Sequence, residues 1–250
     1  MAVIGIMSAM HEELAAVLAV MPDEQCVRVA GRDFWVGHWQ GHDVVAVLSR
    51  IGKVAAATTA TVLLERFKID ALVFTGAAGG LSAEAQVGDV VVASGFVQHD
   101  MDASPLFPKH EVPLYGRARF DTDTALSHAL AVAARQVLSD PAQHLGPQAI
   151  ADFHLLAPRV HQGLIVSGDR FVSTTAERQA LQQSLSDALA VEMEGAAVAQ
   201  VCLDYGVPFS AVRTISDRAD DDAHIDFSRF IRDVASRYSL AILSQWLMHR

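Results

Sequence analysis

Cysteine is scarce in this chain. Only Cys26 and Cys202 occur in 250 residues. Neither stands in a CxxC or Cys/His ligand spacing, which argues against a zinc module or a disulfide framework. Both read as structural thiols in a reducing compartment. Basic charge is also short: 19 Lys and Arg stand against 29 Asp and Glu, a net charge of −10. A chain this acidic is poorly suited to gripping nucleic-acid phosphates, and it has no basic amphipathic segment for an anionic membrane. No apolar run is long enough to span a bilayer. The opening "MAVIGIMSAM" lacks a basic flank and runs straight into "HEE", so no signal peptide is expected and the protein is read as cytoplasmic. Several chemical signatures are missing too. "FTGAAGGL" (74–81) is neither a Walker loop nor GxGxxG. His11, His99, His161 and His224 show no metal spacing, and there is no GxSxG elbow. A zinc site and a dinucleotide fingerprint are therefore not expected.

What the chain does have is a globular composition, 51% hydrophobic and 19% charged, long enough to bury a substantial core. Short β-rich runs recur: "AVIGIMS", "HDVVAVLS", "DALVFTG", "GDVVVAS", "QGLIVSG" and "VPFSAVRTIS". Between them lie helical patterns: "HEELAAVLAVM", "KVAAATTATVLLERF", "DTALSHALAVAARQVL", "TAERQALQQSLSDAL", "EMEGAAVAQVCLDYG" and a closing helix from Phe227 onward. This alternation predicts an α/β fold on a largely parallel sheet, covered on both faces. Two Pro-containing stretches, 99–121 and 139–161, read as irregular. Met101, Leu106, Phe107, Leu114 and Tyr115 in the first suggest an interface element.

The charged residues cluster where strands should end. "VPFSAVRTISDRAD" runs from an apolar strand into Arg213, Ser216, Asp217, Arg218 and Asp220. Charge at the end of a buried strand is costly unless it is paired or used, and the carboxyl ends of strands are where α/β proteins bind ligands. In "AVEMEGAAVA", Glu192 and Glu194 flank Met193 at a strand-to-helix change. Either carboxylate has an ordinary reading as a favourable helix-start charge. Glu194, before a small-residue face, is also suited to accept two hydrogen bonds from a vicinal diol. "MHEE" places Glu12 and Glu13 at the start of the first helix, one solvated and the other a possible general base. Phe171 in "SGDRFVS" is either core or a stacking platform for a flat heterocycle.

Taken together these stretches resemble the 5′-methylthioadenosine/S-adenosylhomocysteine nucleosidases of the purine nucleoside phosphorylase superfamily. The likeness runs nearly end to end, through "IGIMSAMHEEL", "SRIGKVAAATTATVLL", "FTGAAGGL", "VGDVVVAS", "HDMDASP", "GLIVSGDRFV", "VEMEGAAVAQVC" and "VPFSAVRTISDRAD". The resemblance implies one domain over 1–250, a three-layer α/β/α sandwich with a mixed, partly barrel-like sheet. It implies a homodimer and irreversible hydrolysis of an adenine N-glycosidic bond to give adenine and a 5-thioribose, without metal or organic cofactor. By motif position Asp217 would protonate adenine N7. Glu13, helped by Arg213, would activate water. Glu194 would hold the ribose diol, with Met193 against the sugar. Phe171 would stack on adenine and the Val172 backbone would read its edge. Met10, Ile51 and Phe227 would line the sugar and 5′-group pocket, and Ala77 and Ser216 would complete the binding site. Arg213 is expected to point toward Glu13 and away from Asp217. Three positions depart from the common pattern: Ala77 for Ser, Arg50 for Gly and His11 for an acid. The other activities weighed are hydrolysis of aminodeoxyfutalosine or 5′-deoxyadenosine, phosphorolysis with Arg50 as a phosphate ligand, and nucleoside binding without catalysis.

Overall fold

A computed structural model describes residues 2–155, 157–219 and 227–250. Asp220 and His224, singled out in the sequence, lie outside the described residues. The chain opens with β1 (Val3–Ser8), α1 (His11–Leu18), a meander of β2 (Gln25–Val29), β3 (Arg32–Trp39) and β4 (His42–Leu48), and then α2 (Lys53–Phe67). There follow β5 (Ala71–Gly80), β6 (Val90–Gln98), β7 (Arg119–Asp121), α3 (Thr124–Leu138), α4 (Pro141–Leu145) and α5 (Pro147–Asp152). The last part holds β8 (Val160–Ser167), α6 (Thr175–Ser184), β9 (Ala188–Glu192), α7 (Gly195–Tyr205), β10 (Phe209–Asp217) and α8 (Phe227–Phe230). It ends in a π-helical stretch (Ile231–Ala235) that continues into α9 (Ser236–Met248).

All the strands among the described residues belong to one sheet. β10 pairs with both β5 and β6, and the path β10–β6–β8–β9–β5 therefore closes into a five-stranded ring. From β5 the sheet runs on as an open arm, β1–β4–β3–β2. The sheet is mixed rather than largely parallel. β1–β4, β1–β5, β5–β10, β6–β8 and β8–β9 run parallel, while the meander and the β10–β6, β5–β9 and β6–β7 pairs are antiparallel.

Period-two alternation splits the strands between two cores. Ile4, Ile6, Val44, Ala46, Val73 and Val212 meet α1, α3 and α9 on one face. Met7, Val45, Val47, Leu72, Phe74 and Ala211 meet α2 and α7 on the other. The result is helix, sheet, helix. α2 follows its sequence pattern from end to end, and α3 begins one residue later because Asp123 caps it, accepting the Leu126 N–H at 2.7 Å. α6 stops at Ser184, short of its predicted span, because Ala188–Glu192 is drawn off as β9 between β8 and β5. The stretch 139–161 is not irregular throughout, since α4, α5 and the start of β8 fall inside it. The glycines of "FTGAAGGL" do not form a turn; they are the last part of β5.

Candidate functional site

The carboxyl ends of β1, β5, β8, β9 and β10 open on one cleft. Its wall carries Met10, Ile51, Ala77, Phe171, Val172, Met193, Glu194, Ser216, Asp217 and Phe227, together with Ala9, Ala78, Gly79, Arg170, Val191 and Glu192. Every residue expected to bind substrate is thus gathered there, with Asp217 among them. Glu13 and Arg213 lie behind this wall, both wholly buried.

Asp217 reaches the cleft through a bulge. β10 pairs regularly with β5 as far as Ile215 opposite Ala78, then slips so that Asp217 faces Gly79. Successive residues of a regular strand point to opposite sides, and the extra residue lets Ser216 and Asp217 face the cleft together. The Asp217 carboxylate accepts the Ser216 hydroxyl at 2.7 Å and the Ala219 N–H at 2.7 Å. Gly79 makes room for it, since a Cβ there would stand 2.9 Å from Asp217 Oδ1.

Glu13 is the third residue of α1. Its Oε2 accepts the Met10 N–H at 3.1 Å, the reverse half of a capping box. Met10 has no oxygen with which to complete the exchange. Glu12, beside it, is half-exposed. Glu13 Oε1 is buried and has no hydrogen-bond partner among the described residues. Burial pushes the Glu13 carboxyl up to about 7, against the opposing pull of the Met10 N–H and the Arg213 charge.

Arg213 does not turn its guanidinium onto Glu13. Its Nη2 donates to Glu192 Oε2 at 2.8 Å and its Nη1 to the Phe74 carbonyl at 3.0 Å. The guanidinium lies over the Phe74 ring, 4.1 Å from its centroid. Gly76 lies directly beside it, where a Cβ would stand 3.2 Å from Ala9 and touch the guanidinium at 3.4 Å. The reason for this direction is Glu192, which the sequence offered only as a helix-start charge. That carboxylate does close the start of α7, accepting the Gly195 N–H at 2.9 Å, and it also takes the Ser167 hydroxyl and Arg213. An acid at the end of an apolar strand, with no exposed path for its charge, was the signal that it needed a cation.

Glu194 is buried at the start of α7. Its Oε1 accepts the Gly52 N–H at 2.8 Å. Burial and then the neighbouring Glu192 charge raise its pKa, while the Gly52 N–H and Arg213 pull the other way. Three carboxylates, Glu13, Glu192 and Glu194, thus crowd around one guanidinium. The surplus of negative charge favours a cation, or a centre becoming one, at the cleft floor. At the mouth, Phe171 is about half exposed and meets Phe227 edge-on, with ring centroids 6.3 Å apart. Arg50 is elsewhere: its guanidinium donates to the Gly31 carbonyl, and it lines a separate groove with His11, Trp35 and Leu48.

Fold and cleft define a member of the phosphorylase superfamily, whose family model matches residues 3–246. Among curated relatives, the 5′-methylthioadenosine/S-adenosylhomocysteine nucleosidase of Marinomonas sp. is 36% identical over 97% of each chain. The nucleosidase of the same name from Shewanella baltica is 35% identical over 99% of this chain and 96% of its own. The chain belongs to this nucleosidase family and is an enzyme of the nucleosidase class. Among solved structures, the Neisseria meningitidis nucleosidase in complex with methylthio-immucillin-A superposes with a TM-score of 0.87 at 31% identity, covering 100% of both chains. The futalosine hydrolase of Helicobacter pylori gives 0.83 at 29% identity, over 100% of this chain and 98% of that one. Among the described residues no helix is long and apolar enough to cross a membrane.

Proposed function

We propose that the protein hydrolyses the N-glycosidic bond of 5′-methylthioadenosine, S-adenosylhomocysteine or both, releasing adenine and a 5-thioribose. The observation that carries this reading is the carboxylate surplus at the cleft floor, opposite an independent acid at Asp217. Breaking the bond builds positive charge on the ribose and negative charge on the base. Asp217 supplies the proton that adenine N7 takes up as the base departs. Glu13, through its unpartnered Oε1, takes a proton from the attacking water. Arg213 acts on Glu13 through its field and not by contact, favouring the ionised form that can accept that proton. Glu194 keeps one oxygen on Gly52 and offers the other to the ribose diol. Phe171 stacks on the base beside the Val172 backbone. Met193, Met10, Ile51 and Phe227 enclose the sugar and its 5′-group, and Ala77 and Ser216 complete the wall.

Three further points support hydrolysis over phosphorolysis. Arg213 is committed to Glu192, and Arg50 is turned away toward Gly31. Arg170, the arginine on the cleft wall among the described residues, is exposed and paired with Glu177. The likeness to a futalosine hydrolase favours a second reading of the same chemistry, with aminodeoxyfutalosine as the nucleoside.

We also propose a homodimer. Ile51 and Val54 at the start of α2, Leu106 and Leu114 in the 99–118 connection, and Leu203 and Tyr205 of α7 are exposed apolar residues. Tyr115 bonds Asp204 at 2.8 Å, which brings that connection against α7. A contiguous apolar face of this kind is normally covered.

Adenine release from methylthioadenosine, measured with and without phosphate for the wild type and Asp217→Asn, tests the assignment. Phosphate-independent release that falls about 10²–10⁴-fold in the variant is expected. A strict need for phosphate, with a ribose 1-phosphate product, would overturn it.

A further inference from the structure

Behind the rim of the cleft, three elements far apart in sequence are joined by a closed set of hydrogen bonds. Lys53, the first residue of α2, sends Nζ to Asp100 Oδ1 at 2.5 Å, in the connection after β6. Asp100 Oδ2 accepts the Asp169 N–H at 2.9 Å, in the segment after β8. Asp169 Oδ1 accepts the Lys53 backbone N–H at 2.8 Å, which closes the ring. A fourth element is attached through Gln98, whose Oε1 accepts from Lys53 Nζ at 3.1 Å and whose Nε2 donates to Gln200 of α7 at 2.8 Å. The Lys53 side chain is only 15% exposed, so the ammonium is largely covered while Asp100, 33% exposed at its side chain, keeps contact with solvent. Burial acts to raise the Asp100 pKa, yet the Lys53 ammonium and the Asp169 N–H outweigh it and leave the carboxyl below its ordinary range.

Two members of the ring, Lys53 and Asp169, lie within two residues of a cleft residue. Lys53 follows Gly52, whose N–H holds Glu194. Gly52 has φ +93°, where a side chain would be strained, and a Cβ there would stand 3.1 Å from Asp169 Oδ1. Asp169 lies two residues before Phe171, which lines the base side of the cleft. We infer that Lys53, Asp100 and Asp169 form a latch that positions the sugar-holding and base-holding halves of the cleft relative to each other, with Lys53 as the positioning residue. The latch touches no reacting atom. It holds Gly52 against Glu194 and the 169–172 segment against α2, and substrate then meets a site already ordered. The substrate effects below rest on the proposed nucleosidase reading; the latch itself does not.

The test compares wild type with Lys53→Met, Lys53→Arg and Asp100→Asn, using Lys68→Met, an exposed lysine outside the cleft, as the charge control. Two measurements are made on each. The first is hydrogen exchange of peptides covering 50–54 and 168–173 in the unliganded protein. Lys53→Met is expected to exchange about tenfold faster in both segments, with the core strands unchanged. The second is steady-state kinetics with methylthioadenosine. Loss of preorganisation raises KM about tenfold while kcat moves less than about threefold. Lys53→Arg, which keeps the cation, recovers most of both effects. Asp100→Asn, which keeps an acceptor for Asp169 but loses the charge, falls between. Exchange in Lys53→Met equal to wild type in both segments overturns the latch, whatever the kinetics. Equal loss in kcat with no change in KM overturns the positioning role. Should wild type release no adenine, the nucleosidase reading fails by itself, and the exchange measurement still decides the latch.

Discussion

Glu13 sits with one oxygen on the Met10 N–H and the other without a hydrogen-bond partner among the described residues, and burial lifts its pKa to about 7. Two outcomes follow at this residue. A base must be ionised to accept a proton, so kcat/KM falls as pH drops below about 7. Glu13→Gln removes that limb and lowers the rate by about 10²–10⁴-fold, measured as adenine release across pH 5 to 9. Stability moves the other way. The folded-state pKa lies above the ordinary 4.5, so the contribution of protonated Glu13 is complete below about 4.5 and is lost as pH rises through about 7. Glu13→Gln does not suffer that loss. Its unfolding free energy relative to wild type improves between pH 5 and 8 by at most about 3 kcal/mol, readable in paired denaturation curves. A variant that is inactive yet firmer at alkaline pH is the signature of a carboxylate held for chemistry; parallel pH curves for the two proteins would contradict it.

Among the elements, β10 and β9 carry the most consequential pairing. Arg213 and Glu192 are both buried, so removing one strands the other. Arg213→Met is expected to destabilise by about 3–5 kcal/mol, while the double change Arg213→Met with Glu192→Met recovers most of it. Denaturant unfolding of both singles and the double checks this; additive losses would show that the pair is not coupled. The glycine at the β10 bulge gives a sharper functional contrast. Gly79→Ala drives a Cβ to within 2.9 Å of Asp217 Oδ1 and is expected to lower kcat at least about tenfold by displacing the acid. The same elements show what was legible in the sequence. The apolar strands, α2 and α3 were readable because burial on both faces leaves a strong pattern. β2 and β3 were missed because their hairpins are half exposed, though Ala30–Gly31 and Gln40–Gly41, all at positive φ, carry the turn chemistry that marks them. The cleft residues were found through strand-end charges and family likeness. The direction of Arg213 was not, because it depends on Glu192 at the end of β9, which the fold places on the far side of β5 from β10.

For the whole molecule the proposed dimer interface is the apolar face of α2, α7 and the 99–118 connection. Val54→Glu with Leu114→Glu is expected to shift sedimentation from dimer to monomer while leaving the fold intact by circular dichroism. A wild type that is already monomeric at micromolar concentration would refute the proposed interface. The ring itself has a consequence in time. β10 is inserted between β5 and β6, partners more than a hundred residues earlier in the chain, and it brings Ser216 and Asp217 with it. During synthesis the first two hundred residues can collect Met10, Ala77, Phe171 and Glu194, but no acid stands opposite them until the last fifth of the chain has emerged and docked. Under the acid role proposed for Asp217, a copy ending before β10 is left with at most the residual rate expected of Asp217→Asn, and full turnover reports that the final strand has found its place.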